Sequence, residues 1–143
     1  MLDTEIIDRF ERARVARLAT TDRESRPHLV PITFALLDDR TIVTAVDHKP
    51  KRTSKLRRLD NISAHPAVAV LADHYSDAWD ELGWVRVDGT ARIVGPAGDC
   101  GVRDRALDAL ARRYPQYRET PPAGAVIVIR VERWSGWAAA ERD

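Results

Sequence analysis

The sequence holds one cysteine, Cys100, one methionine and two phenylalanines in 143 residues. A single cysteine excludes an internal disulfide framework and any thiolate metal cage, which fits a reducing cytosol, and Cys100 reads as a packing residue rather than a nucleophile. An excess of one charge is also missing: 23 Lys+Arg face 22 Asp+Glu, a formal net charge of +1. No apolar run approaches the ~20 residues of a spanning helix. The opening MLDTEIIDRF has acids where a signal peptide needs bases. The expectation is a soluble, cytoplasmic protein. Internal repeats, linkers, a Gly-rich dinucleotide fingerprint and any Ser/His/Asp or paired-carboxylate spacing are absent as well. His28, His48, His65 and His74 are too scattered for a metal site.

What is present is enough hydrophobic material, 44% of residues, for one compact domain over residues 1–143. Leu2, Ile6 and Phe10 recur at intervals of four, with Asp3 as a cap, and predict a short amphipathic helix ending near Arg14. Then come strand-like runs: VARLATTD, HLVPITFALLD, RTIVTAV, AVAVLAD, WVRVDGTARIV and AVIVIRVERW. Within the second, Val30, Ile32, Phe34 and Leu36 share a register with His28, and Pro31 makes the strand an edge or a bulge. WVRVDGTARIV puts Val85, Val87, Gly89, Ala91 and Ile93 on one face and Trp84, Arg86, Asp88, Thr90 and Arg92 on the other. A helix is predicted from about Gly101 to Tyr114, stopped by Pro115. The fold class that follows is mainly β: a six-stranded antiparallel barrel, closed or split, with short helices.

Charge is concentrated in one place. VDHKPKRTSKLRRLDNI carries Lys49, Lys51, Arg52, Lys55, Arg57 and Arg58 directly after a strand. Helical phasing puts Leu56, Leu59 and Ile62 on the buried stripe and Arg52, Lys55 and Arg58 at its margin, while Arg57 points away. A strand end followed by a basic loop and a helix start converges amides and cations on one point, which suits a phosphate.

The order of these motifs resembles the flavin and deazaflavin oxidoreductases of the pyridoxamine-phosphate-oxidase-like split-barrel superfamily. In that family a basic segment holds the cofactor phosphate just before an N-[LI]-x-x-x-P-x-V element, matched here by Asn61, Ile62, Pro66 and Val68. DHYSDAW, WVRVDGTARIV and VERWSGWAA are similar to the actinobacterial subgroup of F420-dependent enzymes, the FDOR-B type, although Gly83 stands where a second tryptophan is expected beside Trp84. The resemblance implies a homodimer with cofactors in grooves between subunits. It places the ring system along the backbone near Pro31, Thr33, Thr44 and Ala45 and the phosphate at Lys55 and Arg58, with Lys49, Lys51 and Arg52 close by. Trp79 and Trp137 would close the groove from the other subunit. The implied activity is hydride transfer between F420 and a small organic acceptor, which needs positioning and shielding more than acid–base residues. His28 or Tyr75 is available as a proton donor. Two alternatives stay open: an FMN-dependent oxidoreductase of the same fold, and a non-catalytic cofactor- or nucleic-acid-binding barrel. A basic cluster limited to one loop and helix start, in a chain of net charge +1, argues against a nucleic-acid track.

Overall fold

The computed structural model describes residues 1–46 and 52–139, with backbone alone for residues 52–56. The chain runs α1 (Asp3–Arg12), β1 (Ala16–Thr21), β2 (Pro27–Ile32), β3 (Ala35–Asp38), β4 (Thr41–Ala45) and α2 (Arg52–Ala64). It continues with β5 (Ala67–His74), a single 3-10 turn (Trp79–Glu81), β6 (Gly83–Val94), α3 (Cys100–Arg113), α4 (Pro115–Glu119) and β7 (Val126–Ala138). All pairings are antiparallel, in the order β2-β1-β5-β6-β7-β4-β3, so β2 and β3 are the edges.

The mainly-β reading holds, but the described residues form seven strands rather than six. The run HLVPITFALLD divides at Thr33 and Phe34. There the Phe34 amide donates to the Tyr114 hydroxyl (3.2 Å), and the Thr44 hydroxyl donates to the Thr33 carbonyl (2.7 Å). Side chains from distant segments take over backbone groups that a ladder would use, and the chain turns from the β1 partner to the β4 partner. Pro31 does lie on an edge strand, facing Arg17 on β1 with its other side open.

β6 alternates buried and exposed as expected as far as Arg92. Beyond that Val94 is buried too, because α3 covers the other face. The β6–β7 register shifts between Asp88 and Gly89, and a Cβ on Gly89 would lie 2.4 Å from the Arg130 carbonyl oxygen, so only glycine fits this bulge. One core cluster lies on one side of the sheet around Phe10, Leu18, Phe34, Ile42, Val87, Ile127 and Ile129. A second lies between the sheet and α3, around Val43, Leu110, Tyr114 and Val126.

Several helix expectations need correction. α1 starts from Leu2, whose amide donates to the Glu5 carboxylate (3.3 Å), and Asp3 is its first residue rather than its cap. Leu2 is exposed and the helix stops at Arg12; Ile6 and Phe10 alone carry its buried stripe. Pro115 ends α3 as expected but also opens α4, since a proline lacking an N–H is tolerated in a first turn. Cys100 is exposed at the start of α3, not packed. Arg113 donates to the carbonyls of Glu11 and Ala13, and the Tyr114 hydroxyl to that of Arg14 (2.9 Å), pinning the end of α1 to α3.

Candidate functional site

The convergence of α2 with β1 and β2 begins in the sequence. β1 turns Ala16 and Leu18 inward, and the next inward position is Thr20, a polar residue in an apolar register. On α2, Ile62 is buried and Leu59 packs against the same core. Between them Asn61 donates from Nδ2 to Thr20 Oγ1 at 3.0 Å, with both groups buried. A buried hydrogen bond of this kind fixes the rotation of the helix, since leaving either group unpaired costs about 1–3 kcal/mol. With the helix so fixed, Arg58 is half-buried and Arg57 exposed, the phasing read from the sequence.

Across the β1–β2 ladder, Thr20 faces His28, which is half-buried. His28 Nδ1 and Arg58 Nε are both shut off from solvent, and among the described residues neither has a hydrogen-bond partner. Burial pushes the His28 pKa below 6.5, and the charges of Arg57 and Arg58 push it the same way against a small opposing effect of Asp22. Burial also lowers the Arg58 pKa. A neutral imidazole and desolvated cationic charge thus meet with polar atoms unsatisfied, an arrangement that an anion accepting from these groups would relieve.

The other expected residues fall into separate groups. Lys49 and Lys51 lie outside the described residues, and the side chains of Arg52 and Lys55 lie outside them as well, although both positions belong to α2. Arg57 faces solvent, yet its charge reaches His28, so it is not remote from the cluster. Pro31 is exposed on β2. Thr33 and Thr44 are joined by the bond already described, and the Thr33 and Tyr117 hydroxyls share a 2.8 Å hydrogen bond. Thr44 is buried, as is Ala45, which pairs with Val126. Trp79 and Trp137 are 72% and 47% exposed. Trp79 sits on the 3-10 turn, whereas Trp137 is on β7 opposite Trp84. Among the described residues no group of three or more His, Cys, Asp or Glu side chains could hold a metal. Nor is any helix among them long and apolar enough to cross a membrane.

Sequence reasoning missed Thr20, whose signal was the interruption of the inward apolar register. His28 was read as an inward position and an available proton donor, but not as a wall of the cationic cluster.

Comparison with curated proteins gives no match. Among solved structures, a conserved hypothetical protein from Mycobacterium tuberculosis superposes with a TM-score of 0.78 at 23% identity, over 97% of this chain and 86% of that one. A FAD-binding protein from Mesorhizobium loti gives 0.70 at 21%, over 95% and 94%. The heme storage protein from Vibrio cholerae gives 0.67 at 13%, over 94% and 90%. At these identities the likeness speaks for the fold. The model of the pyridoxamine 5'-phosphate oxidase family matches residues 2–138. With its antiparallel sheet and short helices, the chain belongs to the pyridoxamine 5'-phosphate oxidase family of split barrels.

Proposed function

We propose that the protein is an oxidoreductase that holds a phosphate-bearing flavin-type cofactor, with the deazaflavin F420 as the cofactor and a small organic molecule as the acceptor. The observation that carries the reading is the buried Nε of Arg58 near His28 Nδ1, both without a hydrogen-bond partner among the described residues. Both fit a phosphate: the guanidinium donates to an oxyanion, and a phosphate oxygen draws a proton onto the imidazole. The bound cofactor would supply a transferable hydride. The work of the chain is then to anchor and orient it through Arg58 and α2, and to keep water off one face of the ring. The choice of F420 rests on DHYSDAW, WVRVDGTARIV and VERWSGWAA. FAD-binding neighbours of similar fold favour FMN or FAD as the second reading.

A second copy of the chain would complete the groove. The face of β2-β1-β5-β6 turned away from the core carries Leu29 and Leu71 exposed, opposite Ala19 and Arg17 across the ladders, with Arg86 beyond Leu71. Exposed apolar residues in one contiguous face with Arg17 and Arg86 among them are the material of a homodimer interface.

Titration of the purified protein with F420, FMN and FAD, followed by absorbance and fluorescence, tests the reading. Saturable binding of F420 with FMN and FAD weaker by tenfold or more is the expected result. Tight binding of FMN or FAD with none of F420 moves the assignment to the second reading, and binding of none of the three ends both.

A further inference from the structure

At the other end of β1 a cavity of about 500 Å³ opens between the last turn of α1, residues 13–15 and the facing ends of β5 and β6. Arg9, Arg12 and Arg14 line it together with Asp73, His74 and Trp84. Two of these arginines have ordinary structural work. Arg12 pairs with Asp8 at 3.0 Å, and Arg14 donates to the Arg113 carbonyl (2.8 Å) while lying 4.9 Å from the centre of the Tyr114 ring. Arg9 differs. It is half-buried, and among the described residues no carboxylate pairs with it. Its guanidinium rests against the backbone at Gly83, where an added Cβ would come within 2.8 Å of Arg9 Nη1 and 3.2 Å of the Trp137 carbonyl oxygen. The absence of a side chain at 83 leaves room for the guanidinium there.

We propose that this cavity binds a small organic anion, a carboxylate or phosphate borne on a flat apolar body, with Arg9 as the anchor and Trp84 as the wall for the body. The volume lies in the range of small-molecule sites, ~300–1,000 Å³. The lining has three guanidinium groups against one carboxylate, Asp73. An arginine fork matches the paired oxygens of a carboxylate or phosphate, and a guanidinium without a partner gives up no ion pair to bind one. The site is separate from the Arg58 cluster. Val15, just before β1, and Thr20 on it stand five residues apart, roughly 17 Å of extended chain, so one phosphate cannot serve both places. The inference therefore does not depend on which cofactor, if any, occupies α2.

The test uses the full chain with 2-naphthoate and its neutral isostere 2-naphthamide as probes, measured by calorimetry at 0.15 M salt and by amide and indole NMR shifts. Naphthoate is expected to bind at least tenfold more tightly than naphthamide. Its binding should move the signals of Ala72, Gly83 and the Trp84 indole N–H, and leave those of Thr20 and Asn61 in place. Arg9→Gln should remove the preference for the anion, Arg9→Lys should restore part of it, and Arg105→Gln on α3 should leave it intact. Gly83→Ala, which displaces the guanidinium, should weaken naphthoate while the protein keeps its fold by circular dichroism. Equal affinity for the two probes, an undiminished preference in Arg9→Gln, shifts centred on Thr20 and Asn61, or no naphthoate binding at millimolar concentration would each overturn the proposal.

Discussion

Replacing Arg58 by alanine separates a binding role from a packing role, because the two move stability in opposite directions. In the protein without cofactor, Arg58 holds a desolvated charge whose Nε has no partner among the described residues. An unsatisfied buried polar group costs about 1–3 kcal/mol, and the alkyl stem returns part of that through packing. Arg58→Ala should therefore leave stability unchanged or raise it, by up to roughly 1 kcal/mol, or about 3–5 °C in Tm for a chain of this size. Cofactor binding should respond the other way. Loss of a charge-assisted hydrogen bond removes roughly 1.5–3 kcal/mol, a factor of about 10 to 150 in Kd. Differential scanning fluorimetry without cofactor and a fluorescence titration with it give both numbers from one preparation. The titration is repeated at 0.1 and 0.5 M salt beside Arg57→Ala. Arg57 is exposed and acts on the cluster through its charge alone, so its effect should fade as the screening length drops from ~10 Å. The Arg58 effect should persist. A Tm that falls by 5 °C or more with no change in affinity would mean that Arg58 is a structural residue and that the phosphate lies elsewhere.

Three further outcomes are expected. Gly89→Ala places a methyl group against the Arg130 carbonyl, with Ile129 Cγ2 only 3.1 Å away, so urea denaturation should show a loss of about 2–3 kcal/mol; a loss below 0.5 kcal/mol would argue against the bulge. His28 has a folded-state pKa below 6.5, hence the unfolded chain takes up the proton first. Its contribution to stability is complete above 6.5 and is lost as pH falls from 6.5 toward the lowered value. Wild type should therefore lose more stability than His28→Gln between pH 7.5 and 5.5, and parallel losses would remove His28 from the account. Leu71→Asp sets a carboxylate between Arg17 and Arg86 on the outer face of the sheet, where it can pair within one subunit. Multi-angle light scattering should then report folded monomer in place of the dimer proposed for the wild type, and a wild type that is itself monomeric refutes the interface.

Legibility in the sequence tracked the range of the interactions concerned. β6 could be read residue by residue because its alternation reflects a single buried face, and the reading failed only at Val94, where α3 covers the second face. The division between β2 and β3 could not be read. VPITFALL is apolar on both sides of the break, and the groups that make the break, Tyr114 and Thr44, lie 80 and 11 residues away. The same division runs through the site. Arg58 followed from helical phasing and His28 from strand register. The Asn61–Thr20 bond that sets α2 against β1 spans 41 residues and has no local signature beyond an out-of-place threonine. Gly83 was visible as a departure from a pattern. That it makes room for Arg9 depends on α1 lying across the start of β6, which no local pattern encodes.

The position of β7 has a consequence for how the chain is made. It is the last strand among the described residues, and it pairs with β6 along its length and with β4 over Val126 to Arg130. Its alternate residues enter different cores: Ile127, Ile129 and Val131 go to one, Val126 and Val128 to the other. Until it arrives, β6 and β4 both present open edges, and the β3–β4 hairpin has no other strand to join. A nascent chain of the first 125 residues is thus two unfinished sheets, each missing a wall of its core, with exposed apolar edges suited to pairing with other chains. Closure depends on contacts such as Thr41 with Arg130, so folding waits on a search across nearly ninety residues and belongs to the slow regime of nonlocal β topologies. Truncation anywhere before Val126 would accordingly yield aggregation rather than a smaller barrel.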